Sequence, residues 1–210
     1  MSTIFSQNSP AMRFLSKFAD VMLLNLLFLA TSLPLITLGA SLTALNATAI
    51  GLVTNRVESV PGTYLQAFRS NFRQGTLLGL ACLGLAAVVW AWYVVVDNAA
   101  APALVRLGLF AVVLLLAFRV LGTVLFVFPY QATFTDPVHR VLNNARRMSA
   151  RHPVAALTVS AVTALPIVVG VFYPQVFVWG VLWVAFGFAG IAFVNAVVFV
   201  NVFTKYGLQA

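Results

Sequence analysis

Read for its hydrophobic and polar positions, the chain is a series of long apolar runs joined by short charged stretches. Val21 to Asn55 carries no charged residue, and neither does Gln74 to Val96 nor Pro153 to Thr204. As one straight helix, Val21–Asn55 would be about 52 Å long, against a hydrocarbon core of roughly 30 Å. Pro34 lies near its middle, where it removes a helical N–H and keeps the residue before it out of helical dihedrals. "TSLPLITLG" therefore reads as a turn between two short halves. Two thin crossings are the expectation, and a re-entrant hairpin that stops partway is the alternative. Gln74–Val96 suits one span. Pro153–Thr204 is long enough for two, interrupted at Tyr173-Pro174-Gln175. The pattern predicts spans at 18–33, 35–53, 75–96, 103–128, 154–171 and 176–203.

Two polar connections have a helical period of their own. In "SVPGTYLQAFRSNFRQG", Thr63 and Gln66 have capping-box spacing, Tyr64, Phe68 and Phe72 share one stripe, and Gln66, Ser70 and Arg73 lie on another face. In "TDPVHRVLNNARRMSARHP", Asp136 is the expected N-cap and Pro137 the first helical residue. Val138, Val141, Leu142, Ala145 and Met148 form its apolar stripe. Arg140, Asn143, Asn144, Arg147 and Arg151 form its polar one. Interfacial amphipathic helices are predicted at 63–73 and 137–151. An offset of 78 residues carries Arg69 onto Arg147 and Arg73 onto Arg151, a weak internal duplication of helix plus transmembrane hairpin. These arginines hold lipid phosphates or form a docking surface for a partner.

Composition settles the class. The chain is 62% hydrophobic and 8% charged, against about 25% charged in soluble domains, so residues 1–210 read as a single integral membrane domain. Arg13 and Lys17 precede an apolar run too long for a signal peptide, which predicts an uncleaved first span. The net charge of +8 would point to nucleic acid in a soluble protein. Here the positive-inside rule explains it, and no nucleic-acid partner is expected. Basic clusters at Arg13/Lys17, Arg56/Arg69/Arg73, Arg140/Arg146/Arg147/Arg151 and Lys205 are expected in the cytoplasm. The connections near 97–102 and 170–175 carry no Lys or Arg and are expected outside. The predicted fold is an all-α polytopic bundle of six spans, the first two a short Pro-broken hairpin, with both termini cytoplasmic.

Candidate chemistry is sparse. Gly39, Thr43, Ala47 and Gly51 recur every four residues and form a face nearly free of side chains, the kind that admits a second helix backbone. Asn25 and Asn46 need hydrogen-bond partners inside the bundle. Arg119, about 15 Å of helix from Pro129, is expected near mid-membrane, facing either a protein interior or the lipid by snorkelling. No central span carries an acid, which disfavours a proton- or cation-coupled transporter. His139 and His152 lack carboxylates or cysteines at metal spacing, and no phosphate-cradling loop occurs. Cys82 is the lone cysteine, so no disulfide forms within one chain. Neither enzyme activity nor a cofactor is expected.

Three stretches carry a resemblance. "LNLLFLATSLPLITLGASLTALNAT", "FRSNFRQGTLLGL", and "FPYQATF" with "VLNNARRMSARHP" resemble the YesL-like family of small bacterial membrane proteins, over about residues 5–160. The chain departs from the family at Gln131 and Ala132, where a basic residue is common after "FPY". The resemblance implies a multi-pass protein of the bacterial cytoplasmic membrane whose function is unknown. Its members are often encoded beside carbohydrate ABC importers. The expected role is therefore a non-catalytic accessory or regulator that contacts permease subunits, or itself, through small-residue faces. The alternative is a small transporter or channel with Arg119 in an anion path.

Overall fold

The computed structural model describes residues 10–173, 175 and 180–208, and every regular element among them is helical. Pro174 of the expected outer interruption, and residues 176–179 at the start of the last predicted span, lie outside the described residues. Among the described residues, six helices are long and apolar enough to cross a membrane.

Helix α1 (Pro10–Ser32) ends where the proline requires it. Pro34 is extended, with φ −76° and ψ 114°, and a 3-10 turn, Leu35–Thr37, leads into α2 (Leu38–Val53). Threonines close the turn. Thr37 Oγ1 donates to the carbonyls of Thr31 (2.6 Å) and Pro34 (2.7 Å), which satisfies acceptors that a broken helix leaves open. Helix α2 is the centre of the molecule. Eleven of its 16 residues are buried, and it packs against α1, α3, α4 and α8.

Helix α3 (Val60–Asp97) is one continuous rod of 38 residues. The expected interfacial helix at 63–73 is therefore no separate element. Ser59, whose Oγ accepts from Gly62 N at 3.4 Å, caps it in place of Thr63. No proline falls between Arg73 and the span, so nothing breaks the rod. Helices α2 and α3 touch backbone to backbone. A Cβ on Gly39 would collide with the carbonyl oxygen of Gly75, and one on Gly75 would stand 2.8 Å from Ala40 Cα. Gly79 faces Gly39 from the next turn of α3.

This contact fixes the height of the first hairpin. Its tip lies beside Gly75–Gly79, and the Thr31 hydroxyl bonds the Tyr64 hydroxyl near the start of α3. Helix α3 then runs on about 27 Å to Asp97. Together with α4 (Ala103–Thr133), it forms an arm beyond the core. Leu80, Leu83 and Val95 on α3, and Leu104, Leu107 and Leu114 on α4, are all exposed on it.

Helix α4 does not end near 128 as expected but passes through Pro129 to Thr133. Its lower third, Phe126 to Gln131, is buried. Helix α5 (Val138–Arg151) folds back along it, burying Val141, Ala145 and Met148 and exposing Arg140, Arg146, Arg147 and Arg151. Asp136 is not the N-cap of α5. Its carboxylate accepts from the Tyr130 hydroxyl at 2.6 Å and from Asn144 Nδ2 at 3.3 Å, closing the α4–α5 turn. His152 leaves helical geometry ahead of Pro153, so α6 (Pro153–Phe172) is a separate rod.

The chain ends in α7 (Gly180–Leu182), a π turn at Trp183–Gly187, α8 (Phe188–Phe203) and a 3-10 turn at Thr204–Tyr206. His152 Nε2 and the Tyr206 hydroxyl, 3.0 Å apart, join the near ends of α6 and α8.

Two measurements check this arrangement. Gly39→Ala should destabilise the protein by about 1–3 kcal/mol or more by overpacking. Gly84→Ala, with open space around it, should be neutral or slightly stabilising in the same detergent unfolding series. Separately, a spin label at Leu35→Cys in a Cys82→Ser background should report the bilayer depth of Leu80→Cys. A depth matching Ala99→Cys would contradict the observed hairpin height.

Candidate functional site

Polar side chains join the helices at several places, among them a bond from Asn195 Nδ2 of α8 to Thr163 Oγ1 of α6 at 3.1 Å and the three clusters that follow. In the first, Asn25 of α1 is fully buried against the π turn. A π turn shifts the helical ladder by one residue and leaves backbone groups without their usual partners. Asn25 supplies them. Its Nδ2 donates to the carbonyls of Trp183 (3.1 Å) and Val184 (2.7 Å), while Oδ1 accepts from Ala189 N (2.9 Å). Gly187 permits the turn, because a Cβ there would strike the Trp183 ring.

The second cluster lies on α2. Thr43 Oγ1 donates to Gln131 Oε1 at 2.8 Å, and Gln131, 5% exposed, has no partner for Nε2 among the described residues. The third is the Tyr130–Asp136–Asn144 triangle, in which Asn144 Nδ2 also donates to the Tyr130 hydroxyl at 2.8 Å. Gln74 Nε2 donates to the Asp136 carbonyl and ties α3 to the same corner. The exposed arginines Arg69 and Arg73 of α3 therefore belong to the same end of the molecule as Arg140 of α5.

The remaining predicted residues occupy different surroundings. Asn46 bonds only its own helix, through the Leu42 carbonyl at 2.8 Å. Part of the face of Gly39, Thr43, Ala47 and Gly51 is engaged within the chain. Gly39 meets α3, Thr43 meets α4, and a Cβ on Gly51 would meet Val57 of the following loop, while Ala47 and Gly51 are half-buried.

Arg119 is exposed, and no hydrogen bond or ion pair of its side chain occurs among the described residues. It lies one turn of α4 before Gly122, which packs against Ser149 of α5, and about 25 Å of helix from Ala103.

Between the two helices of the arm lies an apolar groove of about 740 Å³, floored by Leu35, Ile36 and Leu38 of the first hairpin. Its walls run from Gly79 to Tyr93 on α3 and from Phe128 to Phe110 on α4. Arg119 is not among the lining residues. At the far end Arg106 Nη2 stands 3.9 Å from Asp97 Oδ1, with both side chains about half exposed, and the guanidinium lies 5.7 Å from the Phe110 ring centre. No group of three or more His, Cys, Asp or Glu that could hold a metal occurs among the described residues.

Residues 21–94 match a family described as "Protein of unknown function, DUF624". That stretch is similar to a family without an assigned activity. It covers α2, most of α1 and α3, and thus both partners of the Gly39–Gly75 contact. No curated protein and no solved structure matches the chain.

Sequence reasoning did not find the partners in these clusters. Gly75 and Gly79 repeat at the same four-residue spacing as the α2 face, a signal that was available. Gln131 carried no comparable signal, because a single amide in an apolar run does not name its partner.

Asn25→Leu should cost about 1–3 kcal/mol, since it strips partners from buried backbone groups. Asn46→Leu, which loses one bond within its own helix, should cost less than about 1 kcal/mol in the same unfolding assay. Equal effects at the two sites would refute the role of Asn25 as a clip.

Proposed function

We propose that this chain is a non-catalytic protein of the bacterial cytoplasmic membrane that acts by binding, as an accessory or regulatory partner of a carbohydrate ABC importer. The observation that carries the binding role is the cationic surface of α3 and α5. Arg69, Arg73, Arg140, Arg147 and Arg151 are all exposed, and among the described residues none of them forms an ion pair. The Gln74–Asp136 bond holds the two helices together there. A rigid set of unpaired arginines favours an acidic partner surface through charge-assisted hydrogen bonds. The basic clusters also support a cytoplasmic position for this end.

The importer as partner rests on the resemblance of the "LNLLFLATSLPLITLGASLTALNAT" segment and its companions. The Gly39 and Thr43 part of the α2 face is already in contact within the chain, which favours the cytoplasmic arginines and the outer faces of the arm as surfaces for a partner. The transporter alternative gains nothing from Arg119, which faces away from the groove.

The test is affinity capture of the full chain from native membranes, read by mass spectrometry. Permease subunits should co-purify, and the pair Arg69→Glu and Arg147→Glu should reduce their recovery about tenfold with the melting temperature unchanged. Purified protein that moves an anionic solute across liposomes, with no importer subunit captured, would replace this reading with the transporter.

A further inference from the structure

The groove of the arm is a separate feature from the arginine surface, and its chemistry identifies its occupant. We infer that it holds one acyl chain of a zwitterionic phospholipid, whose headgroup is read by Arg106 and Asp97.

The lining is almost wholly apolar, so in a bilayer the slot fills with hydrocarbon. From Gly79 to Tyr93 it runs about 21 Å, long enough for the roughly 15 Å depth of a single leaflet. A transmembrane helix fits poorly. Close helix docking in lipid needs small residues. The α4 wall presents Phe110, Val113, Leu114 and Val124 instead, and Gly39, Gly75 and Gly79 are already in contact with one another.

The charges sit at one end of the slot only. Arg106 lies over Phe110, a lining residue, and its partner Asp97 ends α3. At 3.9 Å and half exposed, the pair is loose enough to admit a ligand that offers both signs. A phosphate accepts from the Arg106 guanidinium, and an ammonium donates to the Asp97 carboxylate. A headgroup with only negative charge meets repulsion from Asp97. Phosphatidylethanolamine meets both requirements and phosphatidylglycerol does not.

The full chain is purified in mild detergent and examined by native mass spectrometry during titration with each lipid. One phosphatidylethanolamine should bind per chain, about tenfold more tightly than phosphatidylglycerol. Arg106→Gln should remove that preference. Ala86→Phe with Ala117→Phe, which fills the slot, should lower occupancy about tenfold, whereas Ala161→Phe on the exposed side of α6 should not. A photo-crosslinker at Leu114 in the otherwise unaltered chain gives a second readout, independent of whether the filled variant folds. Lipid adducts there support the assignment. Protein adducts, equal occupancy in filled and unfilled chains, or no lipid preference in the wild type would overturn it.

Discussion

The contact of Gly39 with Gly75 is the constraint on which the rest of the arrangement depends. In lipid the hydrophobic effect no longer drives helices together, so dispersion and backbone proximity do most of that work. Two glycines facing each other bring α2 and α3 to the closest approach a helix pair allows. That approach seats α2 at the centre, where α1, α4 and α8 close around it. It also sets the register. Once Gly39 is opposite Gly75, Thr43 reaches Gln131 and the tip of the first hairpin becomes the floor of the groove.

The molecule thereby acquires two unlike halves. One end is a dense core in which α2 is enclosed and the lower third of α4 shares buried aromatic contacts with α8, such as Phe126 on Phe199 at 5.1 Å. The other end is an arm whose two helices contact each other and little else. The charges respect this division. Arginines ring the core end, and the Asp97–Arg106 pair marks the tip of the arm. Arg119 falls between them, one turn before the Gly122–Ser149 contact that joins α4 to α5.

Much of the architecture was legible in the residue pattern, because single residues dictate it locally. Pro34 breaks a helix wherever it stands, Pro153 separates α5 from α6, and the stripe of Val141, Ala145 and Met148 can only face inward. Helix continuity was harder to read. A proline ends some helices and is absorbed by others, and Pro129 is absorbed because the segment beyond it is still buried against α5 and α8. The candidate sites were legible only by half. Asn25 announced a need for partners without naming them, since the groups it satisfies are backbone atoms in a π turn that no side-chain pattern encodes. The basic helices and the small-residue face were visible as features, but which of them remained open to a partner depended on packing.

The Asn25 clip also carries a consequence for biogenesis. Its partners lie 158 to 164 positions later in the chain. During synthesis α1 enters the membrane well before α8, and its amide waits for that helix to arrive. Until then the amide and, later, the irregular turn at Trp183–Gly187 are polar liabilities in hydrocarbon. Their pairing is thus a late step that couples α1 to α8. A chain stalled before Trp183 would present an unsatisfied amide on α1, the polar feature that sets an unfinished fold apart from a finished one.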